Sequence, residues 1–192
     1  MLVLASASPR RRELLTNAGL AFTVQPADID ESVLPNEAPA AYVTRLAIGK
    51  AEAVFGRLKS AGTTPQAVLG ADTTVTLDGQ ILGKPIDAAD AARMLRLIAG
   101  RSHQVITGIA LATPSGTLSA AETTLVHVSP MTEAEIAAYI ATGEPMDKAG
   151  AYGIQGGFGR FIPRIEGCYP NVVGLPVARL FTLLKQLPAS IL

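Results

Sequence analysis

The first residues whose types and spacing suggest chemistry lie at a predicted helix start. Residues 8–12 read Ser-Pro-Arg-Arg-Arg, with Ser8 suited to the N-cap and Pro9 to the first helical position. The helix dipole disfavours cations at this end, by about 0.3–1 kcal/mol each at a surface. A bound anion would reverse that effect, because free N–H groups, a hydroxyl and guanidinium groups together bind phosphate. The alternative is a solvated basic turn offset by Glu13.

Lys50 is the second such residue. The spacing of apolar residues predicts a helix from about Pro39 to Leu58, and Lys50 falls inside its apolar arc. A lysine in that position must extend its ammonium group to water or meet an anion. Both outcomes stay open at this point.

Asp72 directly follows the apolar run 67–71, which predicts a buried strand. A carboxylate at the end of such a strand points into the crevice where α/β proteins bind ligands. The alternative is an aspartate that caps a turn.

Two glycine-containing segments complete the set. Lys84 lies between Gly83 and Pro85, after a predicted hairpin, and the segment 150–157 is rich in glycine. Glycines permit close approach of the backbone to a ligand, although a flexible surface loop is the alternative.

These residues are all of types that bind phosphate groups or a divalent cation. Four cations could neutralise a polyphosphate: Arg11, Arg12, Lys50 and Lys84. Glu31 and Asp72 could hold a hard divalent cation and orient water. With two histidines and one cysteine in the chain, magnesium or manganese with oxygen ligands is the metal chemistry to expect.

The composition limits the class of protein. The chain has 192 residues, 48% hydrophobic and 17% charged, and its 16 basic side chains balance its 16 acidic ones. This length predicts one domain over residues 1–192 with a substantial core. The balanced charge argues against a long nucleic acid as partner. Lone Cys168 excludes a disulfide framework and favours a reducing compartment. Neither a signal peptide nor a membrane-spanning segment is recognisable, so a cytoplasmic protein is expected.

Strands and helices alternate in the predicted elements, which indicates an α/β or α+β class with a mixed sheet. Strands are predicted near 2–5, 22–25, 68–77, 81–82, 104–112, 118–128 and 161–173, and helices from residues 9, 39, 87, 132 and 176. The segment 143–159 is expected to be a functional loop.

With these motifs assembled, the chain resembles the Maf family of nucleotide pyrophosphatases, also described as septum-formation inhibitors. The resemblance covers nearly the whole sequence. The matching segments are Leu4–Arg11, Asp30–Glu31, Leu46–Ala51, Gly70–Thr73, Gly83–Pro85, Asp147–Gly156 and Val172–Pro176.

The resemblance implies hydrolysis of a nucleoside triphosphate between its α and β phosphates with a divalent metal. It also implies an α/β fold like that of inosine-triphosphate pyrophosphatases, with a mixed twisted sheet, surrounding helices and a cleft between two lobes. On the family pattern Asp72 is the general base and, with Glu31, a metal ligand. The positions that match polyphosphate-binding residues are Ser8, Arg11, Lys50 and Lys84.

The branch of the family acting on dTTP and UTP is the one this sequence resembles, through Arg10, Thr73 and Gln155. A glutamine amide can both donate to a pyrimidine carbonyl and accept from its N3–H, which a carboxylate cannot. Phe158 and Arg160 depart from the usual family sequence of the glycine-rich segment.

The same resemblance implies a homodimer and a house-cleaning role, in which non-standard nucleotides are removed before incorporation. A rival hypothesis is a nucleotide-binding regulator of cell division with little turnover. The pairing of Asp72 with Glu31 favours an enzyme, because a protein that only binds would not need a base beside the phosphates.

Overall fold

The computed structural model describes residues 1–187. The strands are β1 (Leu2–Leu4), β2 (Phe22–Val24), β3 (Ala67–Leu77), β4 (Gln80–Leu82), β5 (Ser102–Thr113), β6 (Gly116–His127) and β7 (Arg164–Glu166). The helices are α1 (Pro9–Asn17), α2 (Pro39–Ser60), α3 (Ala88–Ile98), α4 (Glu133–Ala141), α5 (Tyr169–Val173) and α6 (Val177–Leu184). None of the helices in this described part is both long enough and apolar enough to cross a membrane.

Within residues 1–187, seven strands form one mixed sheet in the order β2-β1-β3-β5-β6-β7, with β4 paired to β3. Strand β1 runs parallel to both β2 and β3, so that Leu2 lies opposite Phe22 on one side and Ala67 on the other. The pairs β3–β4 and β6–β7 are antiparallel. The prediction of an α/β protein with a mixed sheet is confirmed.

The chain divides into two compact units. Unit 1 contains residues 1–73, 107–122 and the stretch from residue 174 onward, and unit 2 contains residues 74–106 and 123–173. The single domain over 1–192 and the cleft between lobes stay predictions.

Both faces of the sheet in unit 1 are covered, because successive side chains of a strand point to opposite faces. On one face Leu2, Leu4 and Leu69 pack with residues of α1 and α6, including Leu15 and Leu180. The other face packs against α2: Val3, Val68 and Ala110 lie in a cluster with Ala47, Ala51 and Val54. Helix α2 is therefore held against β1, β3 and β5 by its apolar arc.

Unit 2 has its own core, in which aliphatic residues of α3 and the strands meet an aromatic group. The fully buried ring of Phe158 contacts the rings of Tyr139, Tyr152 and Phe161, with centroid separations of 5.2, 4.7 and 5.5 Å. The unexpected Phe158 is thus a core residue of unit 2.

Local sequence signals predicted the starts of α1 and α4 correctly. Ser8 caps α1 by accepting a hydrogen bond from the Arg11 N–H, and Pro9 is the first helical residue. Thr132 and Glu135 form the predicted capping box of α4.

Two segments differ from the sequence prediction. The expected loop 143–159 contains short 3₁₀ turns at Glu144–Asp147 and Ala149–Ala151 and the start of a third at Gly157–Phe161. The expected strand 161–173 was wrong over most of its length, since only β7 is extended and α5 follows it. The side chain of Asn171 fixes α5 by donating to the Val105 carbonyl and Thr124 Oγ1, contacts that local patterns do not reveal.

Candidate functional site

Lys50 meets two carboxylates, which decides between the outcomes left open by its position. Its Nζ lies 2.7 Å from Oδ1 of Asp72 and 2.6 Å from Oε1 of Glu31. The side chains of Lys50 and Asp72 are only 10% and 12% exposed, whereas that of Glu31 is 53% exposed. The ammonium group is therefore shared by one buried and one accessible acid.

Two glycines allow α2 to bring Lys50 to this position. A Cβ on Gly70 would overlap the Ala47 carbonyl, and one on Gly108 would overlap the Val43 carbonyl. Backbone of α2 consequently lies directly against β3 and β5, without intervening side chains at these points. This close approach places Lys50 beside Asp72, two residues after Gly70 in β3.

Burial raises the pKa of Asp72 above its usual value, although Lys50 and Arg11 oppose the rise. Removal of water weakens the charged form more than these cations restore it. A carboxylate with a raised pKa is a stronger proton acceptor when it is ionised, so this environment suits a general base.

Arg11 joins three separate parts of unit 1. Its Nε donates to the Gly174 carbonyl at 2.8 Å, Nη1 donates to Ser6 Oγ at 3.1 Å, and Nη2 donates to Thr73 Oγ1 at 3.1 Å. Burial lowers the pKa of Arg11 from its usual range, while Asp72 raises it. An arginine retains its charge under such a shift, so Arg11 remains a fixed cation near Asp72.

The start of α1 keeps the unusual charge pattern that the sequence indicated. No acidic residue lies in its first turn, Arg12 is exposed, and Arg10 is half-buried. Ser8 uses its hydroxyl as the cap. Because an exposed basic helix start of this kind favours anions, it remains a candidate phosphate-binding element.

The loop that carries Glu31 is tied to α2 by side chains that sequence reasoning missed. Tyr42 donates to the Glu31 carbonyl at 3.0 Å, and Arg45 donates to the Ser32 carbonyl at 2.9 Å. Arg45 also makes two hydrogen bonds to Glu37, which lower the pKa of Glu37 to about 2. The sequence signal for these two residues was their position on the same predicted helix as Lys50.

Lys84 and Gln155 belong to unit 2, and both are exposed. Within that unit the Gly150 N–H donates to the Gly83 carbonyl at 3.0 Å, so the stretch containing Lys84 contacts the start of the glycine-rich segment. Thr73 lies in unit 1, where its hydroxyl is 3.0 Å from that of Thr107. Thus Ser8, Arg11, Glu31, Lys50, Asp72 and Thr73 are all in unit 1.

The acids fit a divalent cation. Both Glu31 and Asp72 direct a carboxylate oxygen at the same ammonium group, so their oxygens converge on one cationic position. Among residues 1–187 there is no cluster of three or more His, Cys, Asp or Glu side chains that could hold a metal. Two carboxylates are nevertheless what magnesium commonly takes from a protein when substrate phosphates and water supply the other ligands.

The fold and these side chains define an α/β protein with a buried, cation-paired carboxylate beside a basic helix start, which is a site suited to anionic substrates. Residues 1–187 match the family described as Maf-like protein. The chain therefore belongs to the Maf-like protein family.

Curated relatives from several bacteria are similar over almost their full length. A protein of Koribacter versatilis is 50% identical over 185 residues, covering 96% of this chain and 93% of its own. Proteins of Chromobacterium violaceum and Moorella thermoacetica are 52% and 53% identical, covering 95% of this chain and 92% and 93% of theirs. All three are named dTTP/UTP pyrophosphatase.

Among solved structures, the Ham1 protein of Staphylococcus aureus has a similar fold. The TM-score is 0.53 at 15% sequence identity, and the match covers 96% of this chain and 98% of that one. At this identity the likeness concerns the fold alone, and it agrees with the predicted fold class.

Proposed function

We propose that this protein hydrolyses dTTP and UTP to the nucleoside monophosphate and pyrophosphate. The observation that carries the proposal is the buried Asp72 carboxylate, held 2.7 Å from Lys50 in the unit that also contains the basic start of α1. The names of the relatives from Koribacter, Chromobacterium and Moorella support the reaction and its substrates.

In this proposal water adds across the α–β anhydride, and Asp72 accepts a proton from that water. Burial raises the pKa of Asp72, which makes its ionised carboxylate a stronger base, and Lys50 orients that carboxylate. The start of α1 at Ser8 would bind the phosphates, with Arg11 as a fixed cation held by Ser6, Thr73 and Gly174. On the family pattern Lys84 would be a further phosphate-binding cation. Most of the rate enhancement would then come from positioning and from fixed positive charge near the leaving pyrophosphate.

Glu31 and Asp72 would hold a divalent cation, with magnesium or manganese as the expected ion. When bound, such an ion supplies a Lewis acid that neutralises phosphate charge. Lys50 already balances both acids through direct contacts, so the same oxygens have a cationic partner before an ion binds.

Base selection is assigned to Gln155, with Arg10 and Thr73 as the other positions that mark the dTTP and UTP branch. Gln155 is an exposed residue in a turn of unit 2, which supports this assignment. An amide satisfies both the carbonyl and the N3–H of uracil or thymine.

Pyrophosphate release from dTTP with magnesium, compared between the wild type and Asp72→Asn, tests the reaction. We expect the variant to keep the fold, because Lys50 retains its contact with Glu31. Turnover should fall by about 10²- to 10⁴-fold, because the amide cannot accept the proton. Asp78→Asn is a matched control, since Asp78 is an exposed acid just after β3. Near-normal turnover in Asp72→Asn would remove Asp72 from the mechanism. Wild-type nucleotide binding without turnover would instead support the regulator.

Gln155→Glu tests the selectivity. A carboxylate cannot donate to the pyrimidine carbonyl, so kcat/KM for dTTP and UTP should fall by about tenfold or more relative to GTP. Gln104→Glu, at an exposed position of unit 2, is the control. A substrate profile identical to that of the wild type would exclude Gln155 as the base-reading residue.

A homodimer, a cytoplasmic location, a house-cleaning role and the lack of a long nucleic-acid partner are further parts of the proposal, supported by the family resemblance and the balanced charge. Light scattering of the purified chain tests the dimer.

A further inference from the structure

The carboxylate of Glu144 lies inside the turn formed by residues 153–157. Its Oε2 accepts a hydrogen bond from the Gly157 N–H at 2.9 Å, and its Oε1 accepts one from the Tyr139 hydroxyl at 2.8 Å. Gly157 begins the 3₁₀ turn Gly157–Phe161, so the acid also lies at the start of that turn. Both carboxylate oxygens are thereby engaged by the protein itself.

The glycines of this segment are explained by the same acid. A Cβ on Gly156 would overlap the Glu144 carboxylate, and one on Gly153 would lie 2.7 Å from Cε of Lys148. Lys148 in turn donates to the Glu144 carbonyl at 2.7 Å. The close backbone approach that the sequence suggested for a ligand is therefore made to an internal side chain.

Tyr139 completes the arrangement from the buried side of α4. Its hydroxyl accepts a hydrogen bond from the Gly153 N–H at 3.2 Å while it donates to Glu144. The side chain is nearly inaccessible, and its ring packs on Phe158. Burial, followed by the hydrogen bond to Glu144, raises the pKa of Tyr139, so the hydroxyl stays protonated and can act as a donor.

Gln155 is the exposed residue at the middle of the turn that these contacts hold. On one side of it the Gly153 N–H donates a hydrogen bond to the Tyr139 hydroxyl, and on the other side the Gly157 N–H donates one to the Glu144 carboxylate. Each contact removes freedom from one end of the turn. The orientation of the Gln155 backbone consequently depends on Tyr139 and Glu144, whose polar atoms hydrogen-bond the two ends of the turn.

We propose that Glu144 and Tyr139 are positioning residues that fix the turn bearing Gln155 and thereby set the preference for uracil and thymine bases. The inference rests on the proposed function, in which Gln155 reads the base. Preorganisation of the turn lowers the entropy that base binding would otherwise cost.

Glu144→Gln and Tyr139→Phe test this inference with little change in shape. In Glu144→Gln one of the two oxygens becomes an N–H₂ donor, so the side chain can no longer accept hydrogen bonds from both the Gly157 N–H and the Tyr139 hydroxyl. Tyr139→Phe removes the hydroxyl that links Glu144 to Gly153. For both variants we expect the KM of dTTP and UTP to rise about tenfold and the preference over GTP to fall, with kcat changed less than about threefold.

Inhibition by inorganic tripolyphosphate separates positioning of the base from a general structural role. Tripolyphosphate carries the phosphates without a base, so its inhibition constant should be unchanged in both variants. An equal loss of tripolyphosphate affinity and dTTP affinity would overturn the proposal. Glu133→Gln is the control, because Glu133 is an exposed acid of α4, the helix that carries Tyr139. This variant should leave all these constants unchanged.

Amide hydrogen exchange gives a readout that does not depend on turnover. Exchange at Gly153 and Gly157 should be faster in both variants than in the wild type and in Glu133→Gln. Unchanged exchange would contradict the proposal that Glu144 and Tyr139 hold the turn, even where activity falls. Faster exchange in the variants together with an inactive wild type would instead refute the proposed function. It would still support the role of Glu144 and Tyr139 in holding the turn.

Discussion

Lys50 illustrates how much of the site depends on single side chains. Its position within an apolar arc required either a side chain that extends to water or an anionic partner, and it has two carboxylate partners. Asp72 is nearly as buried as Lys50, so each charge needs the other. Breaking such a pair by removal of one partner leaves a desolvated charge, which is more costly than removal of both.

Lys50→Met should lower the free energy of unfolding by about 3–5 kcal/mol, because Asp72 would remain buried without its cation. The double variant Lys50→Met with Asp72→Asn should recover a large part of this loss. Urea unfolding of the wild type, both single variants and the double variant forms the thermodynamic cycle that measures the coupling.

Lys59→Met is the matched control, since Lys59 is exposed in the last turn of the same helix. It should change stability by less than about 0.5 kcal/mol. Additive effects of the Lys50 and Asp72 substitutions would contradict a strong coupling between the two charges.

At the scale of elements, the contact of α2 with the sheet determines where the lysine lies. Gly70 and Gly108 have no side chain between the two backbones, and Ala47 and Ala51 flank Lys50 on the helix. Alanine at these helix positions keeps the separation short. The sequence pattern predicted the helix and its apolar arc, but the glycines in β3 and β5 carried no local sign that a helix would lie on them.

Gly108→Ala should destabilise the protein by about 1–3 kcal/mol, because the added methyl group would overlap the Val43 carbonyl and force α2 away from β5. The displacement should also separate Lys50 from Asp72 and reduce turnover. Thermal or urea unfolding and a pyrophosphate-release assay measure the two effects.

Gly56→Ala is the control for this substitution. Gly56 lies in α2 itself, and a Cβ there would meet nothing within 4 Å. Alanine in a helix interior is favoured over glycine, so this variant should be more stable by about 0.5–1 kcal/mol. Equal destabilisation by both substitutions would refute the close approach of backbones as the cause.

For the whole molecule, the buried histidine of unit 2 links stability to pH. His103 is 1% exposed, and its Nε2 is 2.7 Å from the Tyr152 hydroxyl. Burial, assisted by the charge of His127, lowers the pKa of His103 from 6.5 to about 4. Protonation therefore favours the unfolded chain, and this contribution to stability is present above the usual pKa and lost as the pH falls towards 4.

Between these two pKa values the wild type should lose up to about 1.4 kcal/mol of stability per pH unit from this group. His103→Gln keeps a hydrogen-bonding group for Tyr152 but does not titrate, so its loss over the same range should be smaller. Urea unfolding at pH 7.5 and pH 5 compares the two proteins. Equal slopes would show that His103 does not govern this part of the acid sensitivity.

The sequence by itself determined the starts of α1, α2, α3, α4 and α6, the mixed class of the fold and the residue types of the site. Capping residues and apolar periodicity act within a few residues of one another, so Ser8, Thr132 and the arc around Lys50 were recognisable locally. The resemblance of the whole sequence to the family added the roles expected of Asp72 and Gln155. The strand predicted over 161–173 failed because contacts from Asn171 to distant elements decided that segment.

Only the tertiary structure decided which charges meet. The pair Lys50–Asp72 joins residues 22 positions apart, and the hydrogen bond from Arg11 to Gly174 joins residues 163 positions apart. No local propensity specifies such partners, because they follow from which faces of the helices pack on the sheet. The same holds for Glu144, whose carboxylate fills the glycine turn for which the sequence alone left a ligand site and a flexible loop both open.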